Sequence, residues 1–216
     1  MPSEVKICGL STAETVKAAV AAGASYVGFV FYPRSPRNIS LERARMLADQ
    51  ARGLTKVVAL IVDADDTLID DITRYVEPDL FQAHGSESAE RVRAIARRSG
   101  IAVIKAVKIG SPDDLVMANA YDGIASLIMY DAKLPESFVN ALPGGNGVAF
   151  DWSLLNGSRK PFILSGGLTC ENVAEAIRMT KAPIVDVSSG VERAPGVKDV
   201  ALIRKFVEAA ISAPAC

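Results

Sequence analysis

The sequence predicts an α/β protein, a single (β/α)8 barrel spanning residues 1–216, and three observations predict it. Eight short apolar runs alternate with longer amphipathic stretches. Several runs are continuously apolar instead of alternating, as parallel strands covered on both faces are. The length of 216 residues, half of them hydrophobic, fits one core and falls near the lower end of the usual range for such a barrel. An open doubly wound sheet is the rival, weakened because no G-x-G-x-x-G follows the first strand.

In chain order, VKIC (5–8) reads as the first strand. STAETVKAAVAAG (11–23) follows, a helix with a Ser or Thr cap, Glu14 in its first turn and a stop at Gly23. YVGFVF (26–31) is the second strand, and SLERARMLADQARG (40–53) is a helix capped by Ser40. KVVALIV (56–62) and LFQA (80–83) are the third and fourth strands. SESAERVRAIARRSG (86–100) sets acidic residues in its first turn and Arg97 and Arg98 in its last, the order that suits a helix dipole. AVIKAV (102–107), ASLIMY (125–130), PFILS (161–165) and PIVDVS (183–188) complete the strands, with helices expected over TCENVAEAIRM (169–179) and VKDVALIRKFVEAA (197–210). The connection from Asp131 to Val148 holds two prolines and a glycine cluster; loops of that length in compact domains are functional or disordered.

Composition narrows the function. With 24 basic and 25 acidic residues the net charge is −1, so neither nucleic acid nor an anionic membrane is an expected partner. No apolar run reaches the roughly 20 residues a membrane helix needs, and MPSEVKICGL lacks a signal peptide's basic start and apolar core. The three cysteines, Cys8, Cys170 and Cys216, form no C-x-x-C pair, which suggests neither a disulfide scaffold nor a zinc site. A reducing, cytoplasmic setting and no metal are the expectations.

Barrel chemistry belongs at the C-terminal ends of the strands. The first ends in Cys8, which position alone leaves open between a small buried residue and a base; Lys6, two residues earlier on the same side, is a cation that favours thiolate. The second leads to Arg34 and Arg37, the latter stiffened by Pro36 and suited to gripping a carboxylate. The fourth is followed by Gln82 and His84, read equally as substrate-orienting groups or catalysts. The sixth ends at Asp131, whose desolvation is expected to raise its pKa toward that of a general acid, a helix cap being the alternative. The seventh and eighth end in SGGL (165–168) and VSSG (187–190), where this fold recurrently binds phosphate. Lys6 and Lys105 also admit a Schiff-base lyase as a rival, and a phosphometabolite-binding module without chemistry is a second.

KICGL (6–10), VGFVFYPRSPRNIS (27–40), FQAHG (81–85), GGNGVAFDW (144–152), LSGGLTCENVAEAI (164–177) and DVSSGVERAPGVKD (186–199), in this order, resemble the phosphoribosylanthranilate isomerase family of tryptophan biosynthesis, itself part of aromatic amino acid biosynthesis. The resemblance implies a (β/α)8 barrel without metal or organic cofactor and an Amadori rearrangement of a phosphorylated small molecule, N-(5-phosphoribosyl)anthranilate. It places a general base on Cys8, a general acid on Asp131, the carboxylate anchor on Arg37 and the phosphate site on Gly166, Gly167, Ser189 and Gly190; Gln82 and His84, from the strand-end reading, are expected to bind substrate. A monomer or homodimer is expected, and an enzyme also taking the histidine-pathway aminoaldose is disfavoured because only one pair of phosphate turns is present. Two departures stand out. Ala83 takes a place where the family commonly has leucine, expected to alter packing beside the aromatic ring, and ESFVNAL looks inserted after Asp131. Asp186 is a second acidic candidate, read as structural.

Overall fold

A computed structural model describes residues 2–133, 143–145, 147, 149–156 and 160–213. Cys216 and the ESFVNAL segment lie outside the described residues.

Eight parallel strands close into a barrel in sequential order, β8 pairing back onto β1. They are β1 (Glu4–Cys8), β2 (Tyr26–Phe31), β3 (Lys56–Ile61), β4 (Leu80–Ala83), β5 (Ala102–Ile109), β6 (Leu127–Ala132), β7 (Phe162–Leu164) and β8 (Ile184–Val187). The helices among the described residues are α1 (Ala13–Ala22), α2 (Leu41–Ala51), α3 (Asp66–Tyr75), α4 (Ala89–Ser99), α5 (Pro112–Ala118), α6 (Val173–Thr180) and α7 (Val200–Ile211). The helix signals hold at the atomic level: Thr12 Oγ1 accepts from Thr15 N, Ser40 Oγ from Arg43 N and Ser88 Oγ from Arg91 N, while Gly23 and Gly100 end α1 and α4 at positive φ. One expectation fails. Val197–Lys198 is not the start of a helix but the strand β10, which pairs antiparallel with β9 (Glu192–Ala194); α7 begins later, capped by Asp199. The turn residues Pro195 and Gly196 explain the hairpin, Gly196 adopting φ +80°.

The side-chain period of two along each strand builds two cores from one wall. Val5, Ile7, Val27, Phe29, Val57, Ala59, Phe81, Ala83, Val103, Leu164 and Val185 face outward and pack with the helices. Ala83 is therefore on the helix side of the wall, away from the pocket, and the expectation that it shapes packing beside a bound aromatic ring is corrected. Residues of the other parity fill the interior: Tyr26, Val58, Ile104, Ala106, Met129, Ile163 and Ile184 form one cluster, and Cys8, Val30 and Leu60 another nearer the mouth. That parity also aims Lys6, Gln82, Asp131 and Asp186 inward.

Lys6 is fully buried, and an unpaired ammonium there would be costly. The β1–β8 register sets Lys6 opposite Asp186, and Nζ reaches Oδ1 at 2.6 Å. Burial alone would lower the Lys6 pKa, but the charges and hydrogen bonds of Asp186 and Cys8 together outweigh it and the net shift is upward. The pair bridges the seam where the last strand meets the first. Replacing Lys6 by Met strands a buried carboxylate and is expected to cost about 3–5 kcal/mol in urea unfolding, while Lys6→Met with Asp186→Leu recovers most of it. A single variant as stable as wild type contradicts this.

Candidate active site

The C-terminal ends of the strands open on one pocket of about 780 Å3, its open mouth included, to which Cys8, Arg37, Gln82, His84, Asp131 and the loops after β7 and β8 all contribute. Strand parity and the closed register bring together residues separated by most of the chain.

Cys8, the last residue of β1, is 3 % exposed. Its neighbour in β2 is Gly28, and the bare Cα makes room: a Cβ there would stand 3.1 Å from Cys8 Sγ and 3.2 Å from Lys6 Nζ. Burial pushes the Cys8 thiol up; the Lys6 and Lys198 ammonium groups pull it down, Asp186 opposes them, and the net shift is upward. Lys6 pulls toward thiolate, as expected from sequence, but burial first and Asp186 after it outweigh that pull.

Asp131 stands on β6 within the same pocket and is also buried. His84 Nε2 lies 3.1 Å from its Oδ2, and Lys108 Nζ bonds the same oxygen. Gln82 Nε2 donates to His84 Nδ1 at 2.7 Å, which puts the ring proton on Nε2, aimed at Asp131. Burial raises the Asp131 pKa, as expected from sequence, but the His84 hydrogen bond and the Lys108 charge overcome it and hold the carboxyl well below the usual range. Burial also lowers the His84 pKa, with Lys108 adding to it against Asp131, so the imidazole is neutral near pH 7. In the free site the protons therefore sit as thiol and carboxylate, the reverse of a thiolate base and a carboxylic acid.

Arg37 is buried, whereas Arg34 is exposed. Arg37 Nε and Nη2 donate to the two oxygens of Glu192 at 2.7 and 2.8 Å. One edge of the guanidinium is thereby used; the Nη1–Nη2 edge carries only a 3.3 Å bond to the Gly145 carbonyl among the described residues. Glu192 and Lys198, which bonds it at 2.7 Å, come from the β9–β10 hairpin. Neither was singled out from sequence, since nothing local says that the hairpin folds back over the mouth. Lys108 was missed as well, although its parity with Ile104 and Ala106 on β5 points it inward.

After β7, Gly166 and Gly167 adopt φ +85° and +65° and line the pocket, as does Ser189 after β8. The backbone N–H groups of Gly166, Gly167, Ser189 and Gly190 donate to no acceptor among the described residues. Gly190 does not line the pocket; a Cβ there would meet the Leu168 carbonyl oxygen at 2.0 Å, so its glycine lets the two loops pack. Lys105, the other lysine considered for a Schiff base, lies outside the pocket and donates to Glu87 at 2.9 Å and Gly85 O at 2.7 Å. Among the described residues no group of three or more His, Cys, Asp or Glu could hold a metal ion.

A family model described as N-(5'phosphoribosyl)anthranilate (PRA) isomerase matches residues 5–209. The N-(5'-phosphoribosyl)anthranilate isomerase of Parvibaculum lavamentivorans is 50% identical over 212 residues, covering 97% of this chain and 99% of that protein. The enzyme of the same name from Caulobacter sp. (strain K31) is 53% identical over 209 residues, covering 95% and 97%. The crystal structure of phosphoribosyl anthranilate isomerase from Thermotoga maritima matches with a TM-score of 0.86 at 40% identity over 96% of this chain and 98% of that one. A crystal structure of phosphoribosyl anthranilate isomerase in complex with reduced 1-(o-carboxyphenylamino)-1-deoxyribulose 5-phosphate matches with a TM-score of 0.83 at 38% identity, over 96% and 98%.

The thiolate is the species that reacts with alkylating agents. The pH dependence of Cys8 carboxamidomethylation should therefore show a midpoint above the ordinary thiol value of 9.0, moving higher in Lys6→Met. A midpoint below the ordinary value contradicts the electrostatics described.

Proposed function

The chain belongs to the N-(5'-phosphoribosyl)anthranilate isomerase family, and from that premise we propose that it converts N-(5-phosphoribosyl)anthranilate to 1-(2-carboxyphenylamino)-1-deoxyribulose 5-phosphate by an Amadori rearrangement, with Asp131 as general acid and Cys8 as general base. The observation that carries the reading is that Cys8 and Asp131 line one pocket together with Arg37 and the turns after β7 and β8, whose backbone N–H groups are unpartnered among the described residues.

The chemistry follows from those groups. Asp131 gives a proton to the furanose ring oxygen; the C1′–O bond breaks and the anthranilate nitrogen becomes an iminium. That cation acidifies the hydrogen on C2′, which Cys8 removes as thiolate. The electron pair flows to nitrogen, leaving an enolamine that tautomerises to the ketone, so substrate and product have the same atoms. The iminium is the electron sink, and one acid and one base suffice. Arg37 holds the anthranilate carboxylate, and the turns at Gly166, Gly167 and Ser189 hold the phosphate, with Gly190 setting how closely the loops approach. Fixing both ends brings C1′ and C2′ between acid and base.

The free site's reversed protons are consistent with this scheme. One proton moving from Cys8 to Asp131 leaves the net charge unchanged and yields the reactive pair. Between the two pKa values the fraction in that form does not vary with pH, so a broad plateau in kcat/KM is the expected profile, with its acid limb belonging to Asp131 and its alkaline limb to Cys8. His84 and Gln82 act on substrate through Asp131, by fixing the direction of its carboxyl.

Cys8→Ala and Asp131→Asn are each expected to lower kcat by about 10²–10⁴-fold or more. The reduced product analogue should still bind within several-fold of wild type by calorimetry. Undiminished turnover in either variant removes that residue from its role; binding without turnover in wild type would favour a module that keeps the ligand and lacks the chemistry.

A further inference from the structure

We propose that Glu192, backed by Lys198, is a positioning residue that sets specificity: it presents Arg37 end-on to the pocket and trims the charge of that anchor to suit a planar monoanion, an aryl carboxylate, over a phosphate dianion. The proposal deepens the reading of Arg37 as the carboxylate anchor and rests on it.

The geometry supplies the orientation. Glu192 takes Nε and one hydrogen of Nη2, the side edge of the guanidinium. The edge formed by Nη1 and the other Nη2 hydrogen faces the pocket and, among the described residues, carries only the long bond to Gly145 O, which a ligand would displace. Two planar hydrogens side by side match the two oxygens of a carboxylate. Glu192 cannot easily turn away. Its Oε1 also accepts from Lys198 Nζ at 2.7 Å and its Oε2 from Gly196 N at 3.2 Å. Lys198 is itself tied to Ser188 O at 2.8 Å and Ser188 Oγ at 3.1 Å. On the other side, the Arg37 stem lies so close to Gly9 that a Cβ there would be 2.7 Å from Arg37 Cδ.

Charge supplies the discrimination. Arg37 is a buried cation, Lys198 a second one whose pKa burial lowers to about 8, and Glu192 an anion with its side chain covered, so the cluster carries at most a single positive charge. A monoanion neutralises it. A dianion would leave a buried negative charge beside Glu192, which is costly. The turns after β7 and β8 instead offer backbone N–H groups at Gly166, Gly167 and Ser189, which donate to no backbone acceptor among the described residues. The two anion sites thus differ in kind, and the difference fixes which way round an unsymmetrical substrate lies.

The test compares two matched probes, 2-aminobenzoate and 2-aminophenylphosphonate, as competitive inhibitors at pH 8 with inorganic phosphate present to fill the glycine turns. Wild type should prefer the carboxylate. Glu192→Gln should shift the preference toward the phosphonate by about 10-fold or more, the scale of one unit charge a few ångströms away, and raise the substrate KM by more than it lowers kcat. Glu192→Asp keeps the charge and spoils the reach, so both probes should weaken while their ratio stays near the wild-type value. An unchanged ratio in Glu192→Gln, or an equal shift in both variants, overturns the proposal. Failure of the anchor reading looks different: Arg37→Met would then leave 2-aminobenzoate affinity unaltered.

Discussion

The Lys6–Asp186 ion pair is the interaction on which the barrel and its mouth both depend. It joins residues 180 positions apart, across the one seam that a chain of sequential strands must close last. A slip of one residue along β8 would turn Asp186 into the helix layer and leave the Lys6 ammonium stranded in the interior. The same register brings Ser188 Oγ to the carbonyl of Cys8 at 3.2 Å and so ties the β8 loop to the proposed base. Closure, loop placement and the environment of the thiol are consequences of one pairing.

The mouth as a whole is assembled from charges already compensated by partners. Lys6 has Asp186, Arg37 has Glu192 and Lys198, and Asp131 has His84 and Lys108. Each group placed to meet substrate is held from behind, so its direction is set before anything binds. Compensation also moderates reactivity. Burial keeps Cys8 a thiol despite two lysines, and the His84 hydrogen bond with the Lys108 charge keeps Asp131 ionised despite burial. On the proposed mechanism, a site of this kind needs only an internal proton shift from thiol to carboxylate to become reactive.

Much of this was legible in the sequence. The eight apolar runs all became barrel strands because continuous burial on both faces leaves a strong signature, and Thr12, Ser40 and Ser88 cap because a short polar side chain can reach the third N–H beyond it. Cys8, Arg37, His84 and Asp131, singled out by reading strand ends, all line one pocket. What sequence did not yield was the set of partners. Glu192 and Lys198 approach Arg37 through a hairpin whose fold-back is decided by tertiary packing against Pro36 and Ser188. The direction of the Asp131 shift differs from the expectation for the same reason: desolvation can be inferred from an apolar run, whereas the His84 hydrogen bond and the Lys108 charge that outweigh it depend on strand register. Gly190 is expected at the phosphate site for its bare N–H, and the structure adds a packing reason for the glycine that sequence does not show, its close approach to Leu168.

The central claim is that a sulfur and a carboxyl group work on adjacent sugar carbons from within one mouth. A crystal structure of this chain with the reduced aminodeoxyribulose phosphate bound would test it most directly. Cys8 Sγ should approach C2′ to about 3–3.5 Å, and an Asp131 oxygen should hydrogen-bond the former ring oxygen. A ligand lying with its C2′ turned from the sulfur, or with Asp131 bonded only to His84 and Lys108, would contradict it.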